Sequence, residues 1–137
     1  VYNIITQPNA ATLARELYSS NSNFESDLIN SYAWDTAIAF IQTFSGDSDY
    51  SKQNPLQTSL TTTGNAHDSS NNYDVRCNIY DMGGNICEWT TESCMDIDNP
   101  CTVRGGYYGG CYGYSGVRDF RFIDADYDVG IRPIMYL

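Results

Sequence analysis

The sequence predicts an α+β domain, and three observations carry the prediction. Two stretches in the first third space their apolar residues at helical intervals, and a long polar run follows them. Beyond that run the apolar residues come in short groups broken by glycine and asparagine. Helices gathered ahead of strands argue for segregated elements rather than alternating β-α-β units. At 137 residues, 42% hydrophobic and 18% charged, the chain has the length of one domain and can bury one core.

Each element follows from local chemistry. Thr6 is placed to cap a first helix in which Ala10, Leu13, Ala14 and Leu17 fall at i, i+3, i+4 and i+7. Pro8 stands in its first turn, where a missing N–H costs nothing. Ser31 is placed to cap a second helix, in which Trp34, Ala37, Ile38 and Ile41 repeat the spacing, and both faces read as core. From Phe44 to Arg76 serine, threonine, asparagine, aspartate and glutamine dominate without period. That segment reads as a long irregular connection, with the single histidine, His67, as a solvated loop residue. NIYDMGGNICEWTTE, residues 78–92, then holds an apolar run and a turn at Gly83-Gly84-Asn85. After the turn Ile86, Glu88 and Thr90 alternate with Cys87, Trp89 and Thr91, which reads as a hairpin-like element with Trp89 buried. VGIRPIMYL, residues 129–137, reads as a closing strand in which Pro133 implies an edge or a bulge.

Charge narrows the partners. Seven basic residues against 17 acidic ones give a net charge of -10, which repels phosphate backbones and anionic lipid, so nucleic acid is set aside as a partner. No run of about 20 apolar residues is present to span a membrane. VYNIITQPN lacks the basic and apolar regions of a secretion signal, and the expectation is a domain from the C-terminal part of a longer protein. The five cysteines, at 77, 87, 94, 101 and 111, include no C-x-x-C pair and no Cys/His cluster of the kind that holds zinc. Cys87 reads as a small buried hydrophobe. Cys94 and Cys101 flank MDIDNP, and a disulfide between them would pin that loop if the domain is exported.

Three motifs then stand in order: NIYDMGGNICEWT at 78–90, VRGGYY at 103–108 and GIRP at 130–133. Together they resemble the signatures of the formylglycine-generating-enzyme (sulfatase-modifying factor) family, over about the last 60 residues of the chain. The helical segment YAWDTAIAFI is similar to the Trp-containing helix of compact family members from phage and gut-bacterial proteins. The resemblance implies a C-type-lectin-like fold with two N-terminal helices, short antiparallel strands and much irregular loop. Cys87, Tyr107 and Ile131 depart from the family's usual Trp, Ser and Phe. Arg104 and Arg132, at the two arginine motifs, read as structural, bonding buried carbonyls or carboxylates.

Function divides along the family's branches. The oxidase members that the motifs resemble carry a cysteine pair at the fourth and ninth residues after R-G-G, which binds copper. Here those positions hold Gly110 and Ser115, and Cys111 is one place off without a partner nearby. Related sulfoxide synthases need an iron-binding histidine set that one histidine does not supply. The expectation is therefore a domain that is not an enzyme; a family oxidase or degenerate enzyme with relocated cysteines is the alternative.

A second branch fits better. The chain is similar to the variable proteins of diversity-generating retroelements, which rewrite the region between R-G-G and G-F-R at template adenines. That mechanism yields codons ending in a pyrimidine, which never encode Lys, Glu, Gln, Met or Trp. None of those five occurs at 107–131, whereas the other 112 positions hold 14 of them. The segment's composition is also that of a paratope, with tyrosine giving flat contact area and glycine and serine giving adaptability. Tyr108, Tyr112, Tyr114, Phe120, Phe122 and Tyr127 are the expected contact anchors, and Asp119, Asp124, Asp126 and Asp128 the expected acids for Arg or Lys of a ligand. Gly109, Gly110, Cys111, Val117 and Ile123 complete the expected surface. Core filling is the competing reading for Tyr107, Tyr108, Phe120, Phe122 and Tyr127. Calcium is a further expectation, because Asn85 and Glu88 match the G-N-x-x-E spacing of a family calcium site; a turn-forming Asn and a solvated Glu explain them equally. No other cofactor is expected. The expected partner is an external protein or cell-surface polymer, met by a monomeric domain that is extracellular, on a cell surface or on a phage virion.

Overall fold

A computed structural model of the chain describes residues 3–20, 23–53, 74–107 and 114–137. Its elements run β1 (Asn3–Ile5), α1 (Gln7–Glu16), β2 (Glu25–Leu28), α2 (Ser31–Phe44), a 3-10 turn (Tyr50–Lys52), β3 (Val75–Arg76), β4 (Ile79–Tyr80), β5 (Cys87–Ser93), β6 (Cys101–Arg104), β7 (Arg118–Arg121), β8 (Asp126–Ile131) and β9 (Pro133–Tyr136). The fold is α+β. A five-stranded sheet in the order β1-β8-β5-β6-β7 is joined by two-stranded sheets β2-β9 and β3-β4. No helix among the described residues is long and apolar enough to cross a membrane.

Both helices start on side-chain caps. Thr6 Oγ1 accepts the Asn9 N–H at 3.3 Å, and Ala10, Ala11 and Ala14 bury the inner face. Leu17, expected on that face, instead forms the C-cap and is 41% exposed, because the helix ends one residue before it. Asn30, not Ser31, caps α2: its Oδ1 accepts the Ala33 N–H at 2.8 Å. Ser31 is the first helical residue, and its hydroxyl donates to the Glu92 carboxylate on β5. Trp34, Ile38 and Ile41 bury as the spacing predicts.

Four expectations about strands need correction. The helical first third also carries β1 and β2, which pair antiparallel with β8 and β9. The hairpin-like element is displaced: β4 pairs with β3, through Cys77 and Asn78 at φ 52 and 62, as a two-residue turn of that kind requires. β5 pairs antiparallel with β6 and parallel with β8, with Glu88 opposite both Arg104 and Gly130, so the sheet is mixed rather than antiparallel. The closing strand is two strands in different sheets, parted at Arg132. Pro133 stands opposite Leu28 at the first position of β9. There its missing N–H is tolerated.

The alternation along β5 separates two buried faces, not core from solvent. Cys87 and Trp89 pack with Ile5, Leu28, Val103, Val129 and the α1 alanines. Glu88 and Thr90, on the intervening positions, are also buried. A second cluster gathers Ile29, Trp34, Ile38, Ile41, Tyr50 and Met82 around α2. Cys94 and Cys101 are both free thiols, so the disulfide considered for their loop is not formed. The Cys94 thiol donates to Asn99 O at 2.9 Å, and Asp96 Oδ1 accepts the Asp98 and Asn99 N–H groups at 2.9 and 3.3 Å.

Candidate ligand-binding surface

Beneath the surface the two arginine motifs meet at one indole. Arg132 lies between β8 and β9, where Nε donates to Glu88 Oε2 at 2.6 Å and Nη2 to Oε1 at 2.8 Å. The same Nη2 donates to Tyr80 O at 2.9 Å and Asp81 O at 3.0 Å. Arg104, on β6, donates to the Asp35 carboxylate of α2 and to Gly116 O at 3.4 Å. Their guanidinium carbons lie 5.6 and 5.9 Å from the Trp34 ring centroid. Gly105 passes so close that a Cβ there would meet two indole atoms at 3.2 Å, with φ at +90. The R-G-G glycine is thus required twice over, by space and by conformation.

This arrangement removes the calcium reading. Glu88 is 5% exposed, not solvated, and both its oxygens are held by Arg132. A guanidinium already occupies the carboxylate that a cation would need. Asn85 is buried at φ 49, its amide toward Asp81 Oδ2 at 3.4 Å, and among the described residues no three His, Cys, Asp or Glu gather as metal ligands. Asn85 and Glu88 do not fit calcium. Burial raises the Glu88 carboxyl against the opposing pull of Arg132.

Neither Cys87 nor Ser115 is set up as a reactive group. Burial, then Asp128, pushes the Cys87 thiol up to about 12, which leaves no thiolate at neutral pH. Ser115, at one of the oxidase cysteine positions, is fully buried, and its hydroxyl donates to Tyr50 O. Its carbonyl accepts the Trp34 Nε1–H at 3.0 Å, and its N–H donates to Gln53 O at 3.1 Å. Gly116 N–H donates to Ser51 O at 3.0 Å, so residues 115 and 116 are bolted to the 3-10 turn. Tyr50 is itself fixed by donating to Asp74, and burial raises both groups above their usual ranges.

Outward from that anchor the expected contact residues emerge. Tyr114 (54% exposed), Phe120 (45%), Phe122 (60%) and Tyr127 (64%) stand at the surface rather than in the core. Ile123 and Asp124 are exposed too, and Val117, Asp119 and Asp126 are half-buried. Asp119, Phe120, Phe122, Asp124 and Asp126 line one groove of about 450 Å³. Comparison with known protein families, curated proteins and solved structures finds no match. Whatever this surface does has to be argued from its own chemistry.

The structure alters the expected set in three ways. Asp128 is only 6% exposed and belongs behind the surface, not on it. Tyr107 packs against the α1 core cluster, so core filling holds for it. Tyr108, Gly109, Gly110, Cys111 and Tyr112, with His67, lie outside the described residues. Arg121, Asn99, Ala125 and the edge of Trp89 also line the groove and were missed. Arg121 had a legible signal: two residues after Asp119 on a strand, it shares that residue's face, and the two pair at 3.2 Å. Asn99 had none, because only tertiary packing brings the 95–100 loop alongside.

Proposed function

We propose that this is a non-catalytic ligand-binding domain on a C-type-lectin-like scaffold of the formylglycine-generating-enzyme type, serving as the variable protein of a diversity-generating retroelement. One observation carries the reading. The groove of about 450 Å³ is walled chiefly by residues 119–126, which fall inside the 107–131 segment that holds no Lys, Glu, Gln, Met or Trp and include the exposed rings of Phe120 and Phe122. On the opposite face of β5 Arg132 is held by buried bonds to Glu88, Tyr80 and Asp81. A rigid sheet carrying a replaceable aromatic rim is what a binding platform needs. The ligand is an external protein or cell-surface polymer, met outside the cell or on a virion by a monomeric domain.

The test is to sequence this gene and its flanking DNA in many sibling isolates, comparing codons 107–131 with any nearby near-copy. Differences confined to template adenines, with codons 78–106 unchanged, are the expected result. An invariant segment with no template copy would overturn the retroelement reading.

A further inference from the structure

We propose that the groove between β1 and α1 is a constant subsite of the binding surface, taking an uncharged apolar side chain of a protein ligand. This rests on reading the neighbouring groove at residues 119–126 as a binding surface, and it adds what the unvaried part of that surface holds. The β1–α1 groove measures about 470 Å³, with Ile4, Leu13 and Ala125 among its apolar walls and Glu16 as the one charged residue in its lining. Ala125 also walls the 119–126 groove, so the two adjoin at that residue.

Ile4 is the residue that points to a ligand. The register of β1 on β8 slips between Asn3, opposite Gly130, and Ile5, opposite Asp126, which leaves Ile4 as the bulged residue. Its φ is 56, a left-handed conformation that a β-branched residue rarely takes. Ile5 enters the core, whereas Ile4 stands 68% exposed on the groove wall. Within the domain this arrangement gains nothing, since the strained backbone and the isoleucine left in water are both unfavourable. A bulge at a sheet edge that re-aims one side chain is a recurrent feature beside functional sites.

The β1–α1 corner is fastened to the variable side through main-chain oxygens. Gln7 N–H donates to Ile123 O at 3.3 Å, and Asn3 Nδ2 donates to Tyr127 O at 2.9 Å. Those carbonyls remain when the side chains at 123 and 127 are rewritten, and Ile4 and Leu13 lie outside 107–131 altogether. The subsite therefore offers the same apolar contact whatever the neighbouring segment reads. On a chain of net charge -10 a lining with a single carboxylate favours a neutral group, and aliphatic walls gain most by covering an aliphatic one. Leucine, isoleucine, valine and methionine of a protein carry such a group; a polysaccharide does not.

The test is a titration followed by backbone amide NMR on the intact domain. The probes are acetyl-Gly-Leu-Gly-amide and its serine, glutamate and lysine counterparts. The leucine peptide is expected to shift the amides of Ile4, Ile5, Asn9, Leu13 and Ala125, binding about tenfold or more tightly than the serine peptide. Asparagine and glycine both suit a positive φ, so Ile4→Asn and Ile4→Gly should unfold at or above the parent's urea midpoint while losing leucine-peptide affinity severalfold. No leucine-specific shift in the groove, preference for a charged peptide, or shifts as large at the exposed Phe40–Phe44 pair would overturn the subsite. So would variants that lose stability yet bind the leucine peptide as the parent does, the mark of a merely structural isoleucine. None of those results touches the codon comparison, so the subsite can fail while the binding-domain reading stands, and the reverse also holds.

Discussion

Replacing Arg132 by methionine tests the buried pair that joins β5 to the β8–β9 corner. The side chains of Arg132 and Glu88 are 19% and 7% exposed, and the guanidinium makes two bonds to the carboxylate and two to backbone carbonyls. Removing one member of such a pair leaves an uncompensated buried charge, at a cost of about 3–5 kcal/mol. The carbonyls of Tyr80 and Asp81 lose their donor as well, at about 1 kcal/mol each. Arg132→Met should therefore lose about 5 kcal/mol or more, close to the whole stability of a small domain. Glu88→Gln keeps shape and acceptor while removing the charge. In the double variant no buried charge is left unpaired, so it should recover about 2 kcal/mol relative to the sum of the single changes. Urea unfolding followed by tryptophan fluorescence reads this directly, since Trp34 and Trp89 are both fully buried. Strictly additive losses, or a cost below about 1 kcal/mol for Arg132→Met, would refute the argument.

Two further outcomes follow from single sites. Gly105→Ala and Gly46→Ala both force an L-residue to positive φ, at +90 and +78, but only Gly105 has neighbours where the Cβ would go. Each should cost about 1–2 kcal/mol for the backbone, and Gly105→Ala about 1–3 kcal/mol more for the contact with Trp34; equal losses in urea unfolding would sink the packing argument. Asp128 gives a pH signature. Its folded carboxyl is raised, so the stability it contributes is present below the unfolded carboxylate value near 4 and is lost as pH rises through the folded one. Asp128→Asn should consequently gain about 1 kcal/mol at neutral pH and flatten the fall in stability from acidic to neutral pH relative to the parent. A variant less stable than the parent at neutral pH, with the slope unchanged, would contradict this.

The legible parts of the sequence were those where one residue type does one job. Trp34 and Trp89 read as buried from helical and alternating spacing, and the two motif arginines read as partners of buried oxygens; the two tryptophans and Arg132 are so placed, whereas Arg104 bonds the half-exposed Asp35 carboxylate and leaves Nε and Nη1 without a partner among the described residues. Strand partnership was not legible. Gly83-Gly84-Asn85 looks like a hairpin turn because Gly84 and Asn85 do take positive φ, at 77 and 49. They turn a buried irregular run instead, and the two-residue turn lies upstream at Cys77-Asn78. β1 and β2, three and four residues long, are too short to show a period. Asp128 was misplaced because a row of aspartates at 124, 126 and 128 looks uniformly solvated, whereas sheet pairing draws Val129 and its neighbour inward.

The same packing limits which positions of 107–131 can be rewritten without losing the fold. Ser115 offers its hydroxyl, its N–H and its carbonyl to three different partners, and the small size of Gly116 matters because a Cβ there would lie 2.8 Å from Ser51 O. Val129 is fully buried opposite Cys87, and Gly130 is buried beside Glu88. Substitution at these four sites perturbs the core rather than the ligand contacts. Exposed Tyr114, Phe122, Asp124 and Tyr127 carry no such burden. A mechanism that randomises by adenine therefore preserves the domain only if template adenines fall on codons of the second kind and avoid those of the first. That restriction comes from hydrogen bonds and van der Waals contact alone, so the isolate sequences can contradict it codon by codon.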